Sequence, residues 1–102
     1  MTMNESEWQQ QVLASALSLG WQTMHIGRTG KHQAVGAKGT LGKGWPDLVL
    51  VKGGRIIFAE LKAQNGVLDP VQKQVLGMLH QVGEVHVWRP SDFGQVIDTL
   101  AV

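Results

Sequence analysis

A chain of 102 residues holds one small domain, here residues 1–102, and an apolar content of 43% is that of an ordinary globular core. No apolar run nears the roughly 18 residues of a membrane span, the first residues are polar and acidic rather than a signal peptide, and the lack of cysteine excludes disulfides and thiolate metal sites. The net charge of +1 conceals an uneven spread: Arg28, Lys31, Lys38, Lys43, Lys52 and Arg55 are six of the nine basic residues, and Asp47 is the one acid between Arg28 and Arg55. Such a segment suits a polyanion such as nucleic acid, and equally a solvated loop kept soluble by its lysines.

Glu5 to Leu19 reads as a helix. Trp8, Val12, Ala16 and Leu19 share a face, Leu13 and Leu17 widen it, Asn4 or Thr2 can cap the start, and Gly20 stops it. Glu5, three residues before Trp8, projects from the face that is buried. Glu7 is expected to face solvent, and for both acids a favourable place near the helix dipole is the ordinary explanation. Trp21 to Ile26 reads as a first strand, where His25 is either an ordinary strand histidine or a group approaching a site. From residue 27 to 44 the periodicity vanishes into six glycines, four basic residues and no acid. Structureless loops of this length in a small domain are usually functional or disordered. His32, within it, is too isolated to read as a ligand.

Two apolar runs, Leu48 to Val51 and Ile56 to Ala59, flank Gly53-Gly54, a hairpin signal because both glycines accept positive φ. A two-residue turn pairs Lys52 with Arg55, and the same register carries Asp47 opposite Glu60. Lys62, two positions on, points to the face of Glu60. Facing carboxylates destabilise a strand pair, and a divalent cation between them turns that repulsion into a binding site. The alternative is a surface ion-pair cluster neutralised by Lys62. Both runs are apolar on both faces, the mark of central strands. Asp69-Pro70 then opens a helix with apolar positions Val71, Val75, Met78, Leu79 and Val82, ended by Gly83; Asp69 and Gln72 fit a capping box. Glu84 to Trp88 is a fourth strand, joined to the sheet by that helix as a crossover. Pro90 ends it, Ser91 or Asp92 caps a last helix, and Phe93, Val96, Ile97 and Leu100 line its buried side. The expected architecture is α/β, a four-stranded mixed sheet flanked by helices.

Gly44, Pro46-Asp47, a hairpin, Glu60-Leu61-Lys62 and the downstream Gln72 together resemble the PD-(D/E)XK nuclease superfamily, and within it the virus-type replication-repair nuclease (VRR-NUC) domain. The likeness extends over nearly the whole chain, with Glu5 in place of that family's acid at the start of the first helix. The long glycine-rich segment before Gly44 departs from the pattern. The resemblance implies a restriction-endonuclease-like αβββαβ core with an extra C-terminal helix, and metal-dependent hydrolysis of a phosphodiester. Asp47, Glu60 and the Leu61 carbonyl would bind Mg²⁺ or Mn²⁺, and Lys62 would orient or deprotonate the attacking water, or stabilise charge on phosphorus. Glu5 would reach the metal directly or through water. Gln72 would hold the geometry or meet the scissile phosphate, and Arg28, Lys31, Lys38 and Lys43 would contact the DNA backbone. The implied activity is a structure-selective DNA endonuclease acting on branched DNA, Holliday junctions foremost, as a homodimer in the cytoplasm of a bacterial or phage-infected cell. A non-catalytic nucleic-acid-binding module of the same fold and a flap- or RNA-directed nuclease are the alternatives.

Overall fold

The computed structural model describes residues 3–26 and 42–102, so most of the glycine-rich loop, with Arg28, Lys31, His32 and Lys38, lies outside the described residues. Helix α1 (Glu5–Ser18) begins with a capping box. Asn4 accepts the Glu7 N–H at 2.8 Å and the Glu7 carboxylate accepts the Asn4 N–H at 3.0 Å, satisfying two N–H groups that the first turn leaves without helical partners. Glu7 therefore has a structural task beyond facing water. Trp8, Val12 and Ala16 are buried, while Leu17, expected to widen the stripe, is exposed: against a sheet the helix seats only a narrow stripe.

Strand β1 (Gln22–His25) pairs antiparallel with β2 (Leu48–Lys52), and β2 with β3 (Arg55–Leu61). Gly53 and Gly54 have φ of 53° and 82°, conformations that side chains with a Cβ rarely adopt, and the turn pairs Lys52 with Arg55 as the sequence predicts. Helix α2 (Pro70–Leu79) then crosses over to β4 (Glu84–Trp88), which lies parallel to β3, giving a four-stranded mixed sheet of order β1-β2-β3-β4. A short 3-10 turn at Pro90–Asp92 leads into α3 (Phe93–Leu100). Residues 42–44, expected to be loop, form a single 3-10 turn.

The sheet divides two cores. On one face Trp8, Val12 and Ala16 of α1 and Val96 and Leu100 of α3 pack with Trp21, Leu48, Leu50, Ile57, Ala59, Leu61 and Trp88. On the other, α2 sets Val75 and Leu79 against Phe58, with Trp45, Val49 and Val85 around them. The stripe of α2 differs from the one expected. Met78 and Val82 are 47% and 76% exposed, Val71 is exposed as well, and Leu76 is buried beside Val75 and Leu79. The inward row is Gln72, Val75, Leu76, Leu79, an i, i+3, i+4, i+7 pattern whose first member is polar. Counting apolar residues alone misplaced that face by about one residue. No helix among the described residues is long and apolar enough to cross a membrane.

Candidate metal and phosphate site

Asp47 and Glu60 meet where the β2–β3 ladder runs out. The last paired residues before them are Leu48 and Ala59, so the register continues to set the two acids opposite each other. Each binds the backbone of the facing strand: the Asp47 N–H donates to Glu60 Oε1 at 3.2 Å, and the Leu61 N–H donates to Asp47 Oδ2 at 3.0 Å. Alternation sends Phe58, Glu60 and Lys62 to the α2 face and Ala59 and Leu61 to the α1 face. Glu60 is 2% exposed, the one charged residue among the buried described side chains. Burying a carboxylate is costly unless donors surround it. Here Lys62 Nζ lies 3.3 Å from Glu60 Oε2, and Gln72 Nε2 donates to the same oxygen at 2.9 Å.

Gln72 plays both roles that its position allowed. Its Oε1 accepts the Asp69 N–H at 3.1 Å, while Asp69 Oδ1 accepts the Gln72 N–H at 2.8 Å, completing the capping box. With the oxygen committed to the cap, the amide must present nitrogen to Glu60, so the helix start dictates which end of the side chain faces the acid.

The three residues before Asp47 explain how the strand is held there. A Cβ on Gly44 would lie 2.6 Å from Val75 Cγ2 and 2.7 Å from the Val71 carbonyl oxygen, so only glycine lets this turn sit against α2. Trp45 packs edge-on to Phe58 with ring centroids 5.7 Å apart. Pro46, fully buried, is the residue that the β2–β3 register, continued past its last pair, would set opposite Leu61. The Leu61 N–H already points toward β2, and within an extended residue the carbonyl points to the same edge. Proline has no N–H to give it. Pro46 thus offers the Leu61 carbonyl no ladder N–H, at the point where the Asp47 and Glu60 side chains take the backbone N–H groups of the facing strand.

Glu5 is not brought into this cluster. It is exposed, and among the described residues no group of three or more His, Cys, Asp or Glu is placed to share a metal ion. Its helix nevertheless starts at the same end of the sheet. Trp8 Nε1 donates to the Trp88 carbonyl at 2.9 Å, and the Lys62 N–H donates to that same oxygen at 3.1 Å. Burial begins at Trp8, so the expectation that Glu5 projects from the buried face does not hold. His25 alternates onto the α1 face, away from Glu60, and is exposed.

Of the basic residues expected to meet a polyanion, Lys43 is exposed in the 3-10 turn just ahead of Asp47. Lys52 and Arg55 are engaged at the far, hairpin end. Lys52 Nζ donates to the Leu19 carbonyl at 2.7 Å, and Arg55 forms a two-pronged pair with Glu84. The anchoring of Lys62 by Trp8 and Trp88 was missed from sequence; it rests on the parallel pairing of Leu61 with Trp88, which no local pattern encodes. Comparisons with protein-family models, curated proteins and solved structures found no match to this chain.

Proposed function

We propose that the chain is a Mg²⁺- or Mn²⁺-dependent DNA endonuclease of the PD-(D/E)XK type, selective for branched DNA such as the Holliday junction and acting as a homodimer. The observation that carries this reading is the buried Glu60 carboxylate, set opposite Asp47 and held by both Lys62 and Gln72. A surface ion-pair cluster would not explain why an acid is buried facing a second acid. The order of elements, αβββαβ and a last helix, supports the reading by analogy with the restriction-endonuclease-like core.

Asp47, Glu60 and the Leu61 carbonyl would hold the cation, which supplies Lewis-acid polarisation of the phosphate and a more acidic water. The side chains around it do the positioning. The Leu61 N–H orients Asp47, and Gln72, fixed by its cap, orients Glu60. Lys62 would stand beside the reacting phosphate, where it orients or deprotonates the water or offsets charge growing on the phosphoryl oxygens. Glu5, at the same sheet end, acts through water in this reading. Two copies would place two such sites on opposed strands of a two-fold symmetric junction.

The test compares a four-way junction, a flap and linear duplex as substrates with Mg²⁺ or Mn²⁺. Symmetric nicking of the junction by a dimer is the expected result. Cleavage of flaps alone would remove the junction-resolving role, and metal-dependent product from the Glu60→Gln protein would overturn the ligand assignment. Binding without any product would favour the non-catalytic module.

A further inference from the structure

Arg89 lies one residue beyond β4, next to Lys62. The β3–β4 ladder is parallel and in register to Leu61 and Trp88, and the Lys62 N–H continues it to the Trp88 carbonyl at 3.1 Å. The next residues on the two strands, Lys62 and Arg89, are therefore neighbours, about 4.8 Å apart in the direction of the ladder. Trp88 is buried in the α1-side core, so alternation sends Arg89 to the other face, where Glu60 and Gln72 lie.

Gly66 joins the two cations. Its carbonyl accepts Arg89 Nη2 at 2.7 Å, and a Cβ on it would stand 3.2 Å from Lys62 Cβ. The same two loops are stapled a second time: Gln64 Nε2 donates to Ser91 Oγ at 2.9 Å, and the Ser91 N–H donates to Gln64 Oε1 at 2.9 Å. Asp92, the acid closest in sequence, accepts the Arg89 backbone N–H at 2.8 Å. Among the described residues no carboxylate forms an ion pair with the Arg89 guanidinium, in contrast to Arg55, which Glu84 neutralises. A half-buried guanidinium with one nitrogen fixed on a carbonyl, and its other N–H groups uncommitted to any acid, is preorganised for a phosphate.

We infer that Arg89 binds a DNA backbone phosphate beside the one at Lys62, so that the ends of β3 and β4 together grip two phosphates of one strand. This rests on the nuclease reading for the identity of the polyanion, but it concerns binding and not cleavage. The two can fail separately.

The experiment is a salt series of junction-DNA binding by the full chain, followed by fluorescence anisotropy in EDTA so that no strand is cut. Arg89→Gln is expected to lower the slope of log Kobs against log salt by about one unit. It should also weaken binding about tenfold, the scale of one charged hydrogen bond. Arg89→Lys should restore the slope. Ser91→Ala, which removes one of the two bonds of the loop staple and keeps the guanidinium, should retain the slope. An unchanged slope in Arg89→Gln would overturn the inference, as would an equal loss in Ser91→Ala, because loop order and not charge would then set binding. If the native chain does not bind DNA at all, the nuclease reading falls with it, and that result is visible before any variant is made.

Discussion

The two ends of the sheet each carry a carboxylate next to cations, and they are built to opposite rules. At the hairpin end, Glu84 accepts Arg55 in two-pronged fashion at 2.9 and 3.0 Å and His86 Nε2 lies 3.1 Å from its Oε2, with the carboxylate side chain 36% exposed. Arg55 also stacks over Trp21, with Cζ 5.1 Å from the ring centroid, and donates to the Thr99 carbonyl beyond. Glu84 is met there by both Arg55 and His86, and the assembly ties β3 and β4 to α3. At the other end, two carboxylates share the face with one amine that is 15% exposed, and the more buried acid is the one facing its like. At the first end a single carboxylate is met by its own arginine; at the second two carboxylates face each other beside a lysine that is largely buried. The first is a fastening; the second is the cluster that the nuclease reading proposes as a cation site.

Substitutions can break this contrast. The largest expected effect is on chemistry: Glu60→Gln or Asp47→Asn should lower Mg²⁺-dependent cleavage by more than about 100-fold, beyond the cost of losing a group that only orients a ligand. Circular dichroism should show the fold retained. Gln72→Ala removes such an orienting group and should cost about 10–100-fold in the same assay. Gly44→Ala should destabilise by about 1–3 kcal/mol in urea unfolding, because the new Cβ meets the Val71 carbonyl, which cannot step aside as a side-chain tip would. A native-like midpoint would mean that the turn and α2 separate at little cost. Arg55→Ala should destabilise by about 1–2 kcal/mol and leave cleavage per folded molecule unchanged. Loss of activity there would dissolve the distinction between the ends.

The smallest effect is a pH dependence. Burial raises the Glu84 carboxyl, but the bonds from His86 and Arg55, with their charges, outweigh it and leave the pKa below the ordinary glutamate range. A carboxyl lowered by folding stabilises the protein above its unfolded pKa of about 4.3 and loses that contribution as pH falls through the folded value. Melting temperatures of Glu84→Gln should therefore vary less than those of the native chain below about pH 4.3. Equal acid slopes would assign the acid sensitivity to other carboxyls.

Much of this was legible because the hairpin is a local object. Gly53-Gly54 sets the turn, the turn sets the register, and the register alone puts Asp47 across from Glu60. The capping box of Asp69 and Gln72 was equally readable, as was the order of the elements. What the sequence hid depends on contacts between elements. Gln72 reaches Glu60 because a polar residue heads the inward row of α2, and a count of apolar positions passes over it. Gly44 was singled out only as the head of a motif, and its steric reason, the closeness of Val71 and Val75, lies between elements. Lys52 and Arg55 counted toward a basic surface, although both are spent on carbonyls and an acid at the far end. Glu5 falls at helical spacing from Trp8, yet the burial of its helix starts one turn later.

The Trp88 carbonyl bears on how the chain reaches this state. One oxygen receives the Trp8 indole from 80 residues upstream and the amide of Lys62. Closing so long a loop is entropically slow, and it precedes any gain from the contact. On a ribosome, the hairpin with both acids emerges well before β4, so a nascent chain carries Asp47 and Glu60 without the strand that anchors Lys62. The cluster becomes complete only once the last strand has docked, which ties its assembly to synthesis of nearly the whole domain.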